Sequence, residues 1–253
     1  RQPDLRIHLH LQGNMAHLSL DSSGSFLHLR GYRTATNKAP INEVLAAGVL
    51  LLSGWNGQCD FMDPMCGSGT LLVEAAMIAC NIPANLHRGA FGFQQWKDFD
   101  PELYQRIYQA ALNKTRDFPF KITGMDKAPS AVKKAQQNIR NANLSDFITV
   151  RREDFFHSTK ASDRPLHLVT NPPYGERLAV DTAVFYGKMG DTLKQEYPNT
   201  KAWMLLGDLE ALKKVGLRAS RRIKLYNGRI ETRLALFEVY KGSKKGKYQG
   251  DSD

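Results

Sequence analysis

Cysteine is scarce in this chain: three in 253 residues, at positions 59, 66 and 80. An odd number without close-paired spacing argues against a disulfide framework and against a structural zinc site. Long apolar runs are missing as well. The best, Val44 to Leu52, falls far short of the roughly 20 residues that cross a bilayer, so no membrane is expected as a partner. No signal-like apolar stretch opens the sequence, and the cytoplasm is the expected compartment. The first residue is Arg1 rather than Met, which reads as a piece of a longer polypeptide. Acids are also under-represented, 25 against 35 Lys and Arg, for a formal charge of +10. That imbalance favours a polyanionic partner, nucleic acid before an anionic membrane.

What is present is a change of period along the chain. Residues 5–30 alternate apolar and polar in three short runs, at 5–11, 17–20 and 26–29, separated by Gly13-Asn14 and by Asp21 to Gly24. They predict a small antiparallel meander. His8 and His10 share one strand face and read as polar-face residues rather than metal ligands. From Pro40 onward strands and helices alternate: helix 42–55, strand 59–63, helix 70–80, helix 101–114, strand 121–126, helix 129–143, strand 147–150, strand 167–170, helix 185–197, strand 202–206. Residues 83–100 show no clear period. Asn227-Gly228 between two alternating runs predicts a closing hairpin. The fold class is therefore α/β, a mostly parallel seven-stranded sheet with a C-terminal antiparallel hairpin. The divisions are a β meander over 1–35, the α/β domain over 36–240 and a disordered tail over 241–253.

Between strand 59–63 and the next helix lies Asp63-Pro64-Met65-Cys66-Gly67-Ser68-Gly69-Thr70. Gly67 and Gly69 let the backbone approach a ligand closely, and the helix start offers free N–H groups. Neither the G-x-G-x-x-G spacing of a dinucleotide site nor the Gly-Lys-Ser/Thr of a phosphate loop is present. An acid at this strand end would repel pyrophosphate and attract a cationic or amino-bearing ligand. S-adenosylmethionine fits: it carries a sulfonium and an amino group and no phosphate. Asp126, with Lys127 beside it, ends the next strand and suits the ribose hydroxyls. Asp154 follows the third strand, where an adenine amine would lie, with Phe155 available to cover the ring. A single such acid is more often a cap or turn residue; three at successive strand ends favour a cofactor site.

Asn171-Pro172-Pro173-Tyr174 ends the apolar run 167–170. Proline fixes φ and removes a donor, so the chain turns sharply there. The Asn171 side-chain oxygen, the Pro172 carbonyl and the Tyr174 ring would project together from the strand's C-terminal end, where open α/β sheets place ligands. Such a set could hold a planar base by its exocyclic amine and its face, while Pro173 fixes the turn.

Taken together, Asp63 to Thr70, Gly124-Met125-Asp126, Glu153-Asp154-Phe155 and Asn171 to Tyr174 look like the ordered motifs of Rossmann-like methyltransferases acting on exocyclic amines. Leu29 to Arg33, Lys38 to Ile41, Leu71 to Met77, Leu86 to Arg88 and Phe93 to Trp96 narrow the likeness. Over about residues 25–240 the chain resembles the RlmL-type, THUMP-associated 23S rRNA guanine-N2 methyltransferases. The resemblance implies a Rossmann-like catalytic domain, residues 1–35 as the end of a THUMP-type RNA-binding region, and 23S rRNA or a ribosomal precursor as partner. It implies catalysis by Asn171, Pro172, Pro173 and Tyr174 without a metal. S-adenosyl-L-methionine would be bound by Asp63, Pro64, Cys66, Gly67, Ser68, Gly69, Thr70, Asp126, Lys127, Asp154, Phe155 and Asn171. The same tetrapeptide suits adenine N6 methylation of DNA or RNA, and a non-catalytic RNA-binding module is a further alternative. The basic residues around the last hairpin (Arg218, Arg221, Arg222, Lys224, Arg229, Arg233) fit either an RNA phosphate track or a solvated strand face.

Overall fold

Asn42 starts the first helix of the main body. Its side-chain oxygen accepts from the N–H groups of Val44 and Leu45 at 2.9 and 3.4 Å, and α1 follows over Glu43–Leu52. The computed structural model that shows this describes residues 3, 5–34, 41–173, 181–207 and 210–240. The expected disordered tail at 241–253 and the family-like segment at 38–40 lie outside the described residues.

After α1 come β3 (Asp60–Asp63), α2 (Thr70–Ala79), α3 (Pro101–Leu112), β4 (Ile122–Asp126), α4 (Pro129–Asn141) and β5 (Ile148–Arg152). Then follow β6 (Leu166–Thr170), α5 (Thr182–Glu196), β7 (Thr200–Leu206), α6 (Ala211–Lys214), β8 (Arg221–Asn227) and β9 (Ile230–Val239). Pro101 and Pro129 each open a helix, where the missing N–H has no intrahelical partner to lose. A short 3₁₀ turn, Gly92–Gln95, sits in the stretch without a clear period.

The sheet order is β5-β4-β3-β6-β7-β9-β8. The first five strands run parallel; β9 is antiparallel to both β7 and β8. The chain builds outward from β3 through β4 to β5, then jumps back to lay β6 on the other side of β3. That reversal opens a crevice at the C-terminal ends of β3 and β6. All five residues of β6 are buried, which explains why Leu-His-Leu-Val-Thr reads as a continuous run rather than an alternating one. One apolar cluster packs α1, α2 and α4 on one face, around Trp55, Leu72 and Ile139; the other packs α5 on the opposite face, around Tyr186, Met189 and Leu193.

The N-terminal residues differ from the expected meander. Residues 7–20 form a two-stranded hairpin, β1 (Ile7–Gln12) and β2 (Met15–Leu20), and not the expected three-stranded meander. The run at 26–29 alternates like a strand, yet its backbone is committed elsewhere. Asp21 Oδ1 accepts from the N–H groups of Ser23 and Gly24 at 2.9 and 3.3 Å and bends the chain. The carbonyls of Ser22 and Ser23 then accept from Phe93 and Gly92 at 3.0 and 3.1 Å. Arg88 donates to the carbonyls of Ser23, Ser25 and Phe26. Those carbonyls are therefore spent on the 88–93 segment rather than on a third strand beside β1 or β2.

Residues 30–34 pack into the main body. Tyr32 is 1% exposed and belongs to the core around α2. Arg30 forms a buried ion pair with Glu74 of α2 at 3.4 Å, and the Tyr32 hydroxyl donates to the same carboxylate at 3.2 Å.

Candidate active site

The loop from Asp63 to Thr70 is held against the end of β4. Cys66 N–H donates to the Met125 carbonyl at 3.0 Å, and Gly67 N–H donates to Asp126 Oδ2 at 3.0 Å. Gly69 adopts φ +83, and a Cβ there would lie 3.2 Å from the Ala135 side chain of α4. Both constraints require glycine at the start of α2. The result is a cavity of about 260 Å³ at the switch point. Every residue expected to hold the cofactor lines it except Gly69, which shapes it from behind: Asp63, Pro64, Cys66, Gly67, Ser68, Thr70, Asp126, Lys127, Asp154, Phe155 and Asn171.

The three acids are also local turn residues. Asp63 Oδ1 accepts from Met65 N–H at 3.1 Å; Asp126 Oδ1 accepts from Ala128 N–H at 2.9 Å; Asp154 Oδ1 accepts from Phe156 N–H at 3.1 Å. Capping and ligand-facing roles coexist because a carboxylate has about four acceptor sites. Asp63 is the least ordinary of the three. Burial pushes its carboxyl up to about 7, against the downward pull of the Met65 N–H and the Thr170 hydroxyl, while the Asp126 charge raises it further. The Thr170 hydroxyl lies against Asp63 but falls short of hydrogen-bond geometry. Burial likewise pushes the Cys66 thiol well up, so it lines the cavity as a neutral group.

Asn171 follows β6 on the cavity wall. Its Oδ1 is fully buried and has no hydrogen-bond partner among the described residues. Such an atom costs roughly 1–3 kcal/mol unless a ligand supplies a donor. Pro173 also lines the cavity, and its carbonyl accepts from the Tyr186 hydroxyl at 3.3 Å. Pro172 is buried and does not line the wall. Tyr174, expected to stack on a base, lies outside the described residues. Phe155, expected as a cover for a ring, is 1% exposed and packs on Tyr197 with centroids 5.3 Å apart, so it reaches the wall from within the core.

Sequence reasoning did not single out Ile41, Phe156 and Phe185 as lining residues. Arg33 entered only as part of the family-like run Leu29 to Arg33, with no role assigned; its guanidinium donates to the Thr70 hydroxyl at 2.6 Å and to the Ile41 carbonyl at 2.8 Å, and pairs with buried Glu43 at 3.1 Å. Arg33 thereby ties the wall at Ile41 to the start of α2. No local signal could have revealed that, because its partners are 8, 10 and 37 residues away.

A switch-point cavity with an acid after each of three neighbouring strands, and a sheet that closes on an antiparallel hairpin, defines a Rossmann-like, S-adenosylmethionine-dependent methyltransferase domain. The donor set suits that cofactor: carboxylates for its cationic groups and an unmet acceptor beside them. Residues 30–235 match the UPF0020 family, the RMKL-like methyltransferase domain, and the chain belongs to it. It is 39% identical over 90% of its length to the ribosomal RNA large subunit methyltransferase K/L of Vibrio campbellii, covering 33% of that protein. The protein of the same name from Methylococcus capsulatus is also 39% identical, over 94% of the chain. The chain thus spans about a third of the length of these relatives. Among solved structures, SMU.472 complexed with SAH superposes with a TM-score of 0.87 at 33% identity, over 94% of this chain and 63% of that one. A Listeria monocytogenes protein described as a predicted N6-adenine-specific DNA methylase gives 0.84 at 32% identity, over 93% and 61%.

Proposed function

We propose that this domain methylates the exocyclic N2 amine of a guanine in 23S rRNA, free or in a ribosomal precursor. The observation that carries the reading is the buried Oδ1 of Asn171 on the cavity wall, which has no hydrogen-bond partner among the described residues. Bound S-adenosylmethionine supplies an electrophilic methyl group on a sulfonium. A guanine amine is a poor nucleophile because its lone pair is delocalised into the ring. An N–H of that amine donating to Asn171 Oδ1 draws the lone pair back to nitrogen and aims it. Pro173 and the buried Pro172 hold Asn171 at the strand end. Asp63 faces the cationic end of the cofactor, while Asp126 and Asp154 present acceptors along the same wall for its ribose and adenine. Extracting the base from its helix costs a few kcal/mol, which stacking on Tyr174 would offset in part.

The names of the chain's K/L relatives, ribosomal RNA large subunit methyltransferases, support RNA. The Listeria structure's description supports the rival, adenine N6. Incubating the full-length protein with 23S rRNA and labelled S-adenosylmethionine, then digesting to nucleosides for mass spectrometry, separates the two. 2-Methylguanosine is the expected product; 6-methyladenosine as the sole product refutes the reading.

A further inference from the structure

We infer that the β8–β9 hairpin is a capture surface for single-stranded RNA flanking the target nucleotide. In this inference Arg222, Lys224 and Arg229 hold phosphates and Tyr226 offers a stacking face. It rests on the RNA substrate argued above.

Strand register gives the first argument. Thr170 pairs with Met204, so Asn171 is level with Leu205, which pairs with Leu234 of β9. Beyond that level β9 and β8 keep rising. Lys224 pairs with Arg233 one residue higher, Tyr226 with Glu231 three higher, and the ladder ends at Asn227 and Ile230. At about 3.4 Å per residue, the tip stands ~13 Å above Asn171, on the same edge of the sheet as the cavity. Laterally, β6 and β8 are separated by two strands, or about 14 Å at ~4.8 Å per strand step. The hairpin is therefore a wall beside the mouth of the site, within a few nucleotides' reach of a base held there.

Chemistry gives the second. On β8, Ile223 and Leu225 pack onto the core under α1, so Arg222, Lys224 and Tyr226 fall on the other face. All three are exposed, Tyr226 at 56%. Glu231 pairs with Lys224 at 2.6 Å and with Arg233 at 2.8 Å, which pre-positions the lysine. Lys224 Nζ lies 5.4 Å from the Tyr226 ring centroid. Arg222 and Arg229 form no ion pair among the described residues. Charge on an edge strand also guards against aggregation, and that alone would explain Arg222 and Lys224. It does not explain a half-exposed tyrosine interleaved with them, or Ile230 at 46% exposure at the tip. A basic track with an aromatic platform is the composition that holds single strands without reading sequence.

The test uses full-length protein and a fluorescent single-stranded fragment of 23S rRNA, titrated across potassium chloride concentrations. One variant is Arg222→Gln/Lys224→Gln/Arg229→Gln. Its control, Lys121→Gln/Arg164→Gln/Lys201→Gln, removes the same charge from the opposite edge of the sheet. The hairpin variant should bind at least tenfold more weakly at low salt. Its log–log salt slope should fall by about two, from three lost phosphate contacts at ~0.7 each. KM for RNA should rise while kcat and SAH affinity stay within twofold, and the control should change none of these. Tyr226→Ala, which keeps every charge, should lose about fivefold or more in RNA affinity. Wild-type RNA binding by the hairpin variant, or equal losses in variant and control, overturns the inference and leaves the proposed function intact. Failure of the wild-type protein to methylate any RNA nucleoside overturns the proposed function, and this inference with it.

Discussion

If Asp63 faces the cationic end of the cofactor, as proposed, cofactor affinity should depend on pH. In the cofactor-free domain its buried carboxyl titrates at about 7, so near neutrality it is half protonated. A sulfonium and an ammonium beside it favour the ionised form. Binding therefore expels a proton whenever Asp63 holds one. Above pH 7 affinity should be flat. Below it, each pH unit should cost up to tenfold, giving about 50-fold between pH 7 and pH 5. The assay is isothermal titration of S-adenosylmethionine at several pH values, in pairs of buffers with different ionisation enthalpies. Proton release should be about 0.5 per ligand at pH 7 and about 0.9 at pH 6. Asp63→Asn should bind weakly at every pH, with no proton release. A dissociation constant that is constant from pH 8 to pH 5, or an unchanged slope in Asp63→Asn, refutes the assignment of Asp63 to the cationic end of the cofactor.

The same carboxyl shapes stability without ligand. Its folded value lies above the ordinary 3.8, so this group adds stability as pH falls from about 7 towards 4, by up to about 4 kcal/mol. His167 acts in the opposite sense: burial holds it at about 4, its ring sits 2.8 Å from the Ser53 hydroxyl, and it removes up to about 3 kcal/mol as pH falls from 6.5 to 4. Urea unfolding should find the wild type nearly flat across that window, and Asp63→Asn losing stability below pH 6.5. Asn171→Ala should lower single-turnover methylation by roughly 10²–10³-fold while leaving SAH affinity within threefold, because it removes the proposed transition-state contact. Glu74→Leu should cost about 3–5 kcal/mol by stranding Arg30, and Arg30→Met/Glu74→Leu should regain much of that in thermal unfolding. Gly190→Ala would place a Cβ 1.7 Å from the Val215 carbonyl of the segment after α6, and should cost about 3 kcal/mol or prevent folding.

The α/β order was legible because each element announces itself locally. Prolines mark helix starts at 101 and 129, β6 is a continuous, largely apolar run, and Asn227-Gly228 closes the hairpin. The cavity was legible for a similar reason: its acids and glycines cluster where strands hand over to helices. Long-range partners left no such trace. The alternation at 26–29 promised a strand, but Arg88, more than 60 residues away, takes the Phe26 carbonyl and Arg30 takes those of Leu27 and His28. Arg30, Tyr32 and Glu74 look like an ordinary charge pattern until folding buries them together. The Asp63 shift arises from full burial beneath Thr170 and Asp126, a property of packing that no spacing encodes.

The β1–β2 hairpin has a practical consequence for handling the protein. Ile7, Leu9 and Leu11 face outward beside Leu18 and Leu20, each 51–74% exposed, and both strands have an open edge. An apolar ribbon whose outer edges have no strand partner among the described residues is a template for further strands. Solutions of this chain should therefore be limited by colloidal self-association through residues 5–20 rather than by the stability of the methyltransferase body. Light scattering should improve when Leu9 and Leu18, cross-strand neighbours on that face, are replaced by lysine and glutamate, with the melting temperature unchanged.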